Sequence, residues 1–148
     1  MPYAEAARAA ADFLRRHLWD DSRQILQRRH RGGESAIDGF LDDYAYSGLA
    51  LLELYETTFE ARDCAWAMRL AERAIELFID TANGGFFSTA GGAEDALLRL
   101  KDDYDGAEPS GNSGMAMLLL RLARMALVLF RRWPAPRFGG TLQNGFRR

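Results

Sequence analysis

Two acidic clusters hold most of the residues in this chain that could do chemistry. The first is Asp42-Asp43-Tyr44. The second contains Asp102, Asp103, Tyr104, Asp105, Glu108, Ser110 and Asn112. Paired carboxylates at a cavity mouth can divide general acid and general base work, as they do in glycoside hydrolysis. The same residue types also have a purely structural use. Asp and Glu at a helix start accept free backbone N–H groups and complement the helix dipole, while Ser and Asn cap the first turn. Both readings apply to both clusters. The second cluster lacks the spacing of a calcium loop: counting back from Gly106 puts Lys101 where the first carboxylate is required. No metal and no cofactor is therefore expected.

The other reactive types are sparse. His17 and His30 are isolated in sequence; a histidine base would suit sugar epimerisation near neutral pH, but His17 falls on an apolar helix face. Cys64, the single cysteine, lies on an apolar helical stripe with no activating neighbour and reads as packing. The aromatics Tyr44, Tyr46, Tyr55, Phe86, Phe87 and Tyr104 could form a sugar platform or a core, and helical spacing favours the core.

Four helices are predicted to position these groups. Residues 4–18 present Ala6, Ala7, Ala10, Phe13, Leu14 and His17 on one face and Glu5, Arg8, Asp12, Arg15 and Arg16 on the other. Residues 40–57 are apolar all round after Asp43. Residues 61–80 are amphipathic again, with Cys64, Ala67, Met68, Ala71, Ile75 and Phe78 on one stripe. A fourth helix runs from about Pro109 to Phe130. Residues 19–38 are polar, broken by Gly32-Gly33, and read as a loop with a short extended piece at Ile25-Leu26. The connection 83–101 reads as a short β-hairpin, Phe86–Thr89 against Leu97–Leu100.

Amphipathic and all-round apolar helices alternate, and Asp-Asp-Tyr recurs after sixty residues. Together these features predict a duplicated helical hairpin in two layers, with the second and fourth helices inside. Repeats of this kind cannot bury their own apolar faces, so self-association is expected, most simply as a two-fold dimer or a higher homo-oligomer.

Composition narrows the function classes. The chain has 148 residues, 48% of them hydrophobic and 27% charged, and a net charge of −2. Neither specific nucleic-acid binding nor membrane insertion is expected. The one long apolar run, Gly114 to Phe130, carries Arg121 and Arg124 near its centre, each costing about 2.5–3.5 kcal/mol to insert. A lone cysteine and no visible secretory signal are compatible with the cytoplasm. Residues 131–148 carry five arginines and no acid, leaving −7 on residues 1–130. This basic Pro/Gly-rich tail reads as coil.

The stretches Gly39-Phe40-Leu41-Asp42-Asp43-Tyr44-Ala45, Gly84-Gly85-Phe86-Phe87 and Leu98 through Ser113 resemble a known family. Within the last, Asp105-Gly106-Ala107-Glu108-Pro109-Ser110-Gly111-Asn112-Ser113 is the most specific part. The chain resembles the helical domain of the bacterial thioredoxin-domain proteins related to spermatogenesis-associated proteins. That domain is similar to the six-hairpin glycosidase and N-acylglucosamine 2-epimerase toroids. The resemblance covers roughly residues 1–130. It implies an all-α fold, a partial (α/α) toroid of two hairpins, with inner-helix starts facing a funnel where related enzymes bind sugars. A Cys-x-x-Cys motif is absent, and two hairpins are fewer than a closed toroid needs, so the chain looks like a truncated piece of that domain. The expected role is a non-catalytic binding or oligomerisation module. The alternative is a carbohydrate-binding or carbohydrate-modifying protein whose carboxylate-lined site is completed by oligomerisation.

Overall fold

A computed structural model describes residues 2–91, 99–102 and 104–132. Helix α1 (Pro2–His17) leads into three strands, β1 (Trp19–Asp20), β2 (Ile25–Arg31) and β3 (Glu34–Asp38). Then follow α2 (Leu41–Thr58), α3 (Ala61–Phe78) and α4 (Gly111–Arg132). The fold is mainly helical, as expected, and the four helices fall close to their predicted bounds.

The segment 19–38 departs from expectation. In place of a loop it forms a three-stranded antiparallel sheet in the order β1-β2-β3, with Trp19 opposite Leu26 and Arg29 opposite Ala36. Gly32 and Gly33, at φ 63° and 87°, make the two-residue turn. Such turns need positive φ at both central positions and match the twist of the flanking strands. In β2 only Leu26 is fully buried, and Tyr44 in α2 accepts the Leu26 N–H at 2.8 Å.

The helices pack in two kinds, but with shifted faces. α1 turns Ala11 into the core and leaves Ala6, Ala7, Ala10 and half of Phe13 exposed. The cause is an ion pair: Arg8, on the face predicted to be polar, forms a bidentate bond to the buried Asp63 of α3, both contacts at 2.5 Å. A guanidinium fork matched to a carboxylate outweighs a row of alanines in orienting the helix. α3 buries Trp66, Leu70 and Ala74 besides the expected Ala67, Ala71 and Phe78, and leaves Met68 half exposed.

α2 and α4 run side by side. A Cβ on Gly111 would meet Leu41, one on Gly114 would meet Ala45, and one on Gly48 would meet Leu118. These contacts advance together along both helices, so the two are parallel and their N-termini lie at the same end. Small residues at the crossing allow the close approach. The remaining flank of α4 is open: Met117, Leu120 and Leu127 are 53%, 68% and 64% exposed, so this chain alone does not cover the helix.

The connection between α3 and α4 shows an isolated bridge, Ile79 to Phe86, and a backbone bond from Ser88 N–H to Leu100 O at 2.7 Å. The predicted strand residues Leu97 and Leu98 lie outside the described residues, as does the basic tail beyond Arg132. Among the described residues no helix is long and apolar enough to cross a membrane.

Candidate functional site

The parallel α2 and α4 bring their N-terminal ends together, and a cleft of about 320 Å³ opens there. Asp42 and Tyr46 line it from α2, Asp102, Glu108 and Pro109 from the connection, and Arg28 from β2; Phe40 and Ser88 complete the wall. Carboxylates from both acidic clusters thus meet in one place.

The recurring Asp-Asp-Tyr is not structurally equivalent at its two sites. Asp42-Asp43-Tyr44 lies in the first turn of α2, whereas the second copy ends seven residues before α4 begins. The longer second connection causes the offset. Tyr44 is fully buried, edge-on to Phe78 with ring centroids 5.4 Å apart, and does not line the cleft. Tyr104 is 78% exposed. Asp103 lies outside the described residues.

Several of the polar residues hold the cleft in shape. Asp43 accepts the Phe40 N–H at 2.8 Å, satisfying a free donor at the start of α2. Burial raises its pKa; the Phe40 N–H and nearby Arg28 act the other way. Asp105 accepts the Ser110 N–H at 2.8 Å and the Ser113 hydroxyl at 3.0 Å, and these bonds, the Ser110 N–H first, hold its carboxyl below the usual range. Ser110 is buried, and its hydroxyl accepts the Ser113 N–H at 3.2 Å. Asn112 donates to the carbonyls of Phe86 and Asp102 at 2.9 and 3.0 Å and accepts the Phe86 N–H at 2.8 Å. Asp105, Ser110 and Asn112 therefore serve the helix start and the crossing chain.

Asp42, Asp102 and Glu108 are left facing the cleft. Arg28 lies 3.4 Å from Asp42 and 3.2 Å from Asp43, and its guanidinium stacks 4.7 Å from the Phe40 ring centre. The Tyr46 hydroxyl donates to the Pro109 carbonyl. Burial raises the Tyr46 phenol pKa, and the carboxylates of Glu108, Asp42, Asp105 and Asp102 add to the rise. That phenol lies within the field of four carboxylates. Such an arrangement can accept several hydrogen bonds from the hydroxyls of a ligand, with Arg28 offsetting part of the charge.

Sequence reasoning missed Arg28, Phe40 and the loop that Lys101 closes, while Tyr46 was among the aromatics it offered as a sugar platform. In that loop Asp80 bonds Lys101 at 2.6 Å and the N–H groups of Ala82 and Asn83 at 2.9 and 3.1 Å. These contacts, Lys101 first, hold its carboxyl well below the usual range. Asp80 followed three residues later by Asn83-Gly84-Gly85 was the available signal. His17 and His30, isolated in sequence, meet with ring centroids 4.7 Å apart beside Phe13, away from the cleft. Cys64 is half buried, and burial raises its thiol pKa, in keeping with a packing role. Among the described residues no three His, Cys, Asp or Glu side chains are grouped as a metal site.

No protein-family model matches the chain. It is 44% identical over 125 residues to spermatogenesis-associated protein 20 of Mus musculus, a match covering 78% of this chain and 16% of that protein. It is 41% identical over 121 residues to the Homo sapiens protein of the same name, covering 76% of this chain and 15% of that protein. An uncharacterized protein of Caenorhabditis elegans is 32% identical over 127 residues, covering 81% of this chain and 17% of the relative. The chain is thus related to a segment of spermatogenesis-associated protein 20 and spans about one sixth of its length.

Proposed function

We propose that this chain is a helical-hairpin binding module whose acidic cleft takes a polyhydroxylated ligand of the carbohydrate class. The observation that carries this reading is the convergence of Asp42, Asp102 and Glu108 on one cleft at the shared N-terminal end of α2 and α4. Carboxylates accept hydroxyl hydrogen bonds, Arg28 donates them, and the Phe40 and Tyr46 rings offer faces to the C–H side of a sugar. The volume suits one or two sugar rings rather than a long chain. The reading places the chain as two hairpins of an (α/α) toroid of the N-acylglucosamine 2-epimerase type, where inner-helix starts surround the ligand. It assigns no catalytic step, because Asp43 and Asp105 are committed to the helix ends.

The test is a thermal-shift and NMR titration against mono- and oligosaccharides. Ligand at roughly 100 times Kd adds about 2.7 kcal/mol of stability, and Asp42→Asn with Glu108→Gln abolishes the gain. A panel of millimolar sugars that neither stabilises the chain nor moves the resonances of Tyr46 and Phe40 overturns the reading.

A second reading, self-association, is favoured by a separate observation. α1 turns Ala6, Ala7 and Ala10 outward, and α4 exposes Met117, Leu120 and Leu127. Apolar flanks at both ends of a repeat call for neighbours. Sedimentation that finds only monomer up to high concentration overturns it.

A further inference from the structure

The two open apolar surfaces lie on opposite sides of the molecule. On α4, Gly114, Met115 and Leu118 are buried at or near α2, while Met117, Leu120 and Leu127 face away from them. At about 100° per residue the two sets are half a turn apart. On α2, Ala45 and Gly48 meet α4. By the same count Ala50, Leu54 and Thr57 lie on the opposite side, where with Tyr3, Ala4 and Ala7 of α1 they line a largely apolar groove of about 500 Å³.

The chain itself contains a filled version of that groove. α2 sits against both α3 and α4, an outer helix and the inner helix that follows it. The corresponding pair one repeat earlier is α1 and α2, and the seat between them is the open groove. What occupies the filled seat is an inner helix running parallel to its inner neighbour. The helix in this chain of the same kind, with an uncovered flank, is α4. Arg124 is exposed on the α4 flank, while Glu53 at the groove border is held by Arg121 of its own chain at 2.5 Å, so the fit rests on the stacking geometry.

We infer that the α4 flank of one copy docks in the α1/α2 groove of a second copy, head to tail, continuing the internal stacking. This rests on the self-association reading above and gives it a geometry other than the two-fold contact expected from sequence. A head-to-tail contact uses two different surfaces, so each copy keeps one of each free, and the assembly grows into a ring or a chain.

The experiment is complementation of two surface variants. Leu120→Glu blocks the flank and Ala50→Arg blocks the groove; both positions are exposed, and far-UV circular dichroism checks that the fold is kept. In sedimentation velocity over a concentration series, the unaltered chain gains mass past two copies, and each variant alone stays monomeric, with association weakened roughly tenfold or more by the buried charge. An equal mixture of the two restores association but stops at two copies, because only one intact flank–groove pair remains. If Ala50→Arg associates as the unaltered chain does while Leu120→Glu does not, the contact is flank to flank and the head-to-tail geometry is overturned, although association stands. If the unaltered chain stays monomeric throughout, the association reading falls with it.

Discussion

Adding one methyl group at Gly48 tests the contact that creates the cleft. A Cβ there would lie 2.5 Å from Cδ2 of Leu118 and 3.1 Å from its Cδ1. A flexible side chain could move aside, but Leu118 is fully buried, so its shift presses on core neighbours rather than into water. Two effects oppose each other in Gly48→Ala. Alanine in a helix interior is favoured over glycine by about 1 kcal/mol. Overpacking a filled core costs about 1–3 kcal/mol. The clash wins or cancels, so the variant loses about 0–2 kcal/mol, where an uncrowded site would gain about 1. Leu118→Ala alone costs about 2–5 kcal/mol through lost burial and the cavity left behind. In the double variant the clash disappears and the new methyl fills part of that cavity. The two effects are then non-additive by about 1–3 kcal/mol in the favourable direction. Urea midpoints at constant m-value give the four stabilities needed. If Gly48→Ala stabilises by its full helical preference, and the pair adds to within about 0.5 kcal/mol, then α2 and α4 do not cross at Gly48 and the cleft at their common end is not built this way.

Three further outcomes are expected. Asn112→Ala removes the partners of both Phe86 backbone groups and of the Asp102 carbonyl, so thermal denaturation should show a loss of about 1–3 kcal/mol together with weakened ligand binding. Asp80 has its pKa depressed in the folded chain by Lys101, and then by Asn83. The stability it supplies is therefore present above the ordinary aspartate value of 3.8 and fades as pH falls below that value. Asp80→Asn should cost stability evenly at neutral pH, with the gap to the parent closing only in acid; a gap that stays constant into strong acid contradicts the ion pair. Glu108→Gln removes one of the charges that raise the Tyr46 phenol pKa, so NMR titration of that tyrosine should show a downward move, while Tyr44, on which Glu108 does not act, stays put.

The helices were legible because α1 and α3 carry a clear helical period and α2 and α4 are apolar runs too long for strands. The sheet was not. Its middle strand, Ile25–Arg31, is polar from Gln27 onward and lies mostly on the surface, so the apolar alternation that marks strands is missing. The Gly32-Gly33 pair was the readable clue, because two adjacent glycines serve a hairpin turn as well as a break. The facing of α1 was misjudged because Arg8 and Asp63 are 55 residues apart, and no local pattern reveals such a partner. For the cleft, the acidic residues were visible as letters. Their division into cleft-facing and helix-holding groups depends on which backbone N–H each carboxylate reaches. The twin Asp-Asp-Tyr showed the limit of reading repeats by spelling, since a longer second connection placed Tyr44 in the core and Tyr104 in water.

The Asn112 side-chain amide behaves toward Phe86 as a neighbouring strand would, offering one donor and one acceptor to its backbone. Arg99 holds the Thr89 carbonyl at 2.8 Å, and Ser88 holds Leu100. The chain leaving the cleft wall and the chain returning to it are thus fastened before and after the stretch between Thr89 and Arg99. One amide thus stands in for a missing strand: it ties the chain entering the cleft wall, at Phe86, to the chain that returns to it, at Asp102.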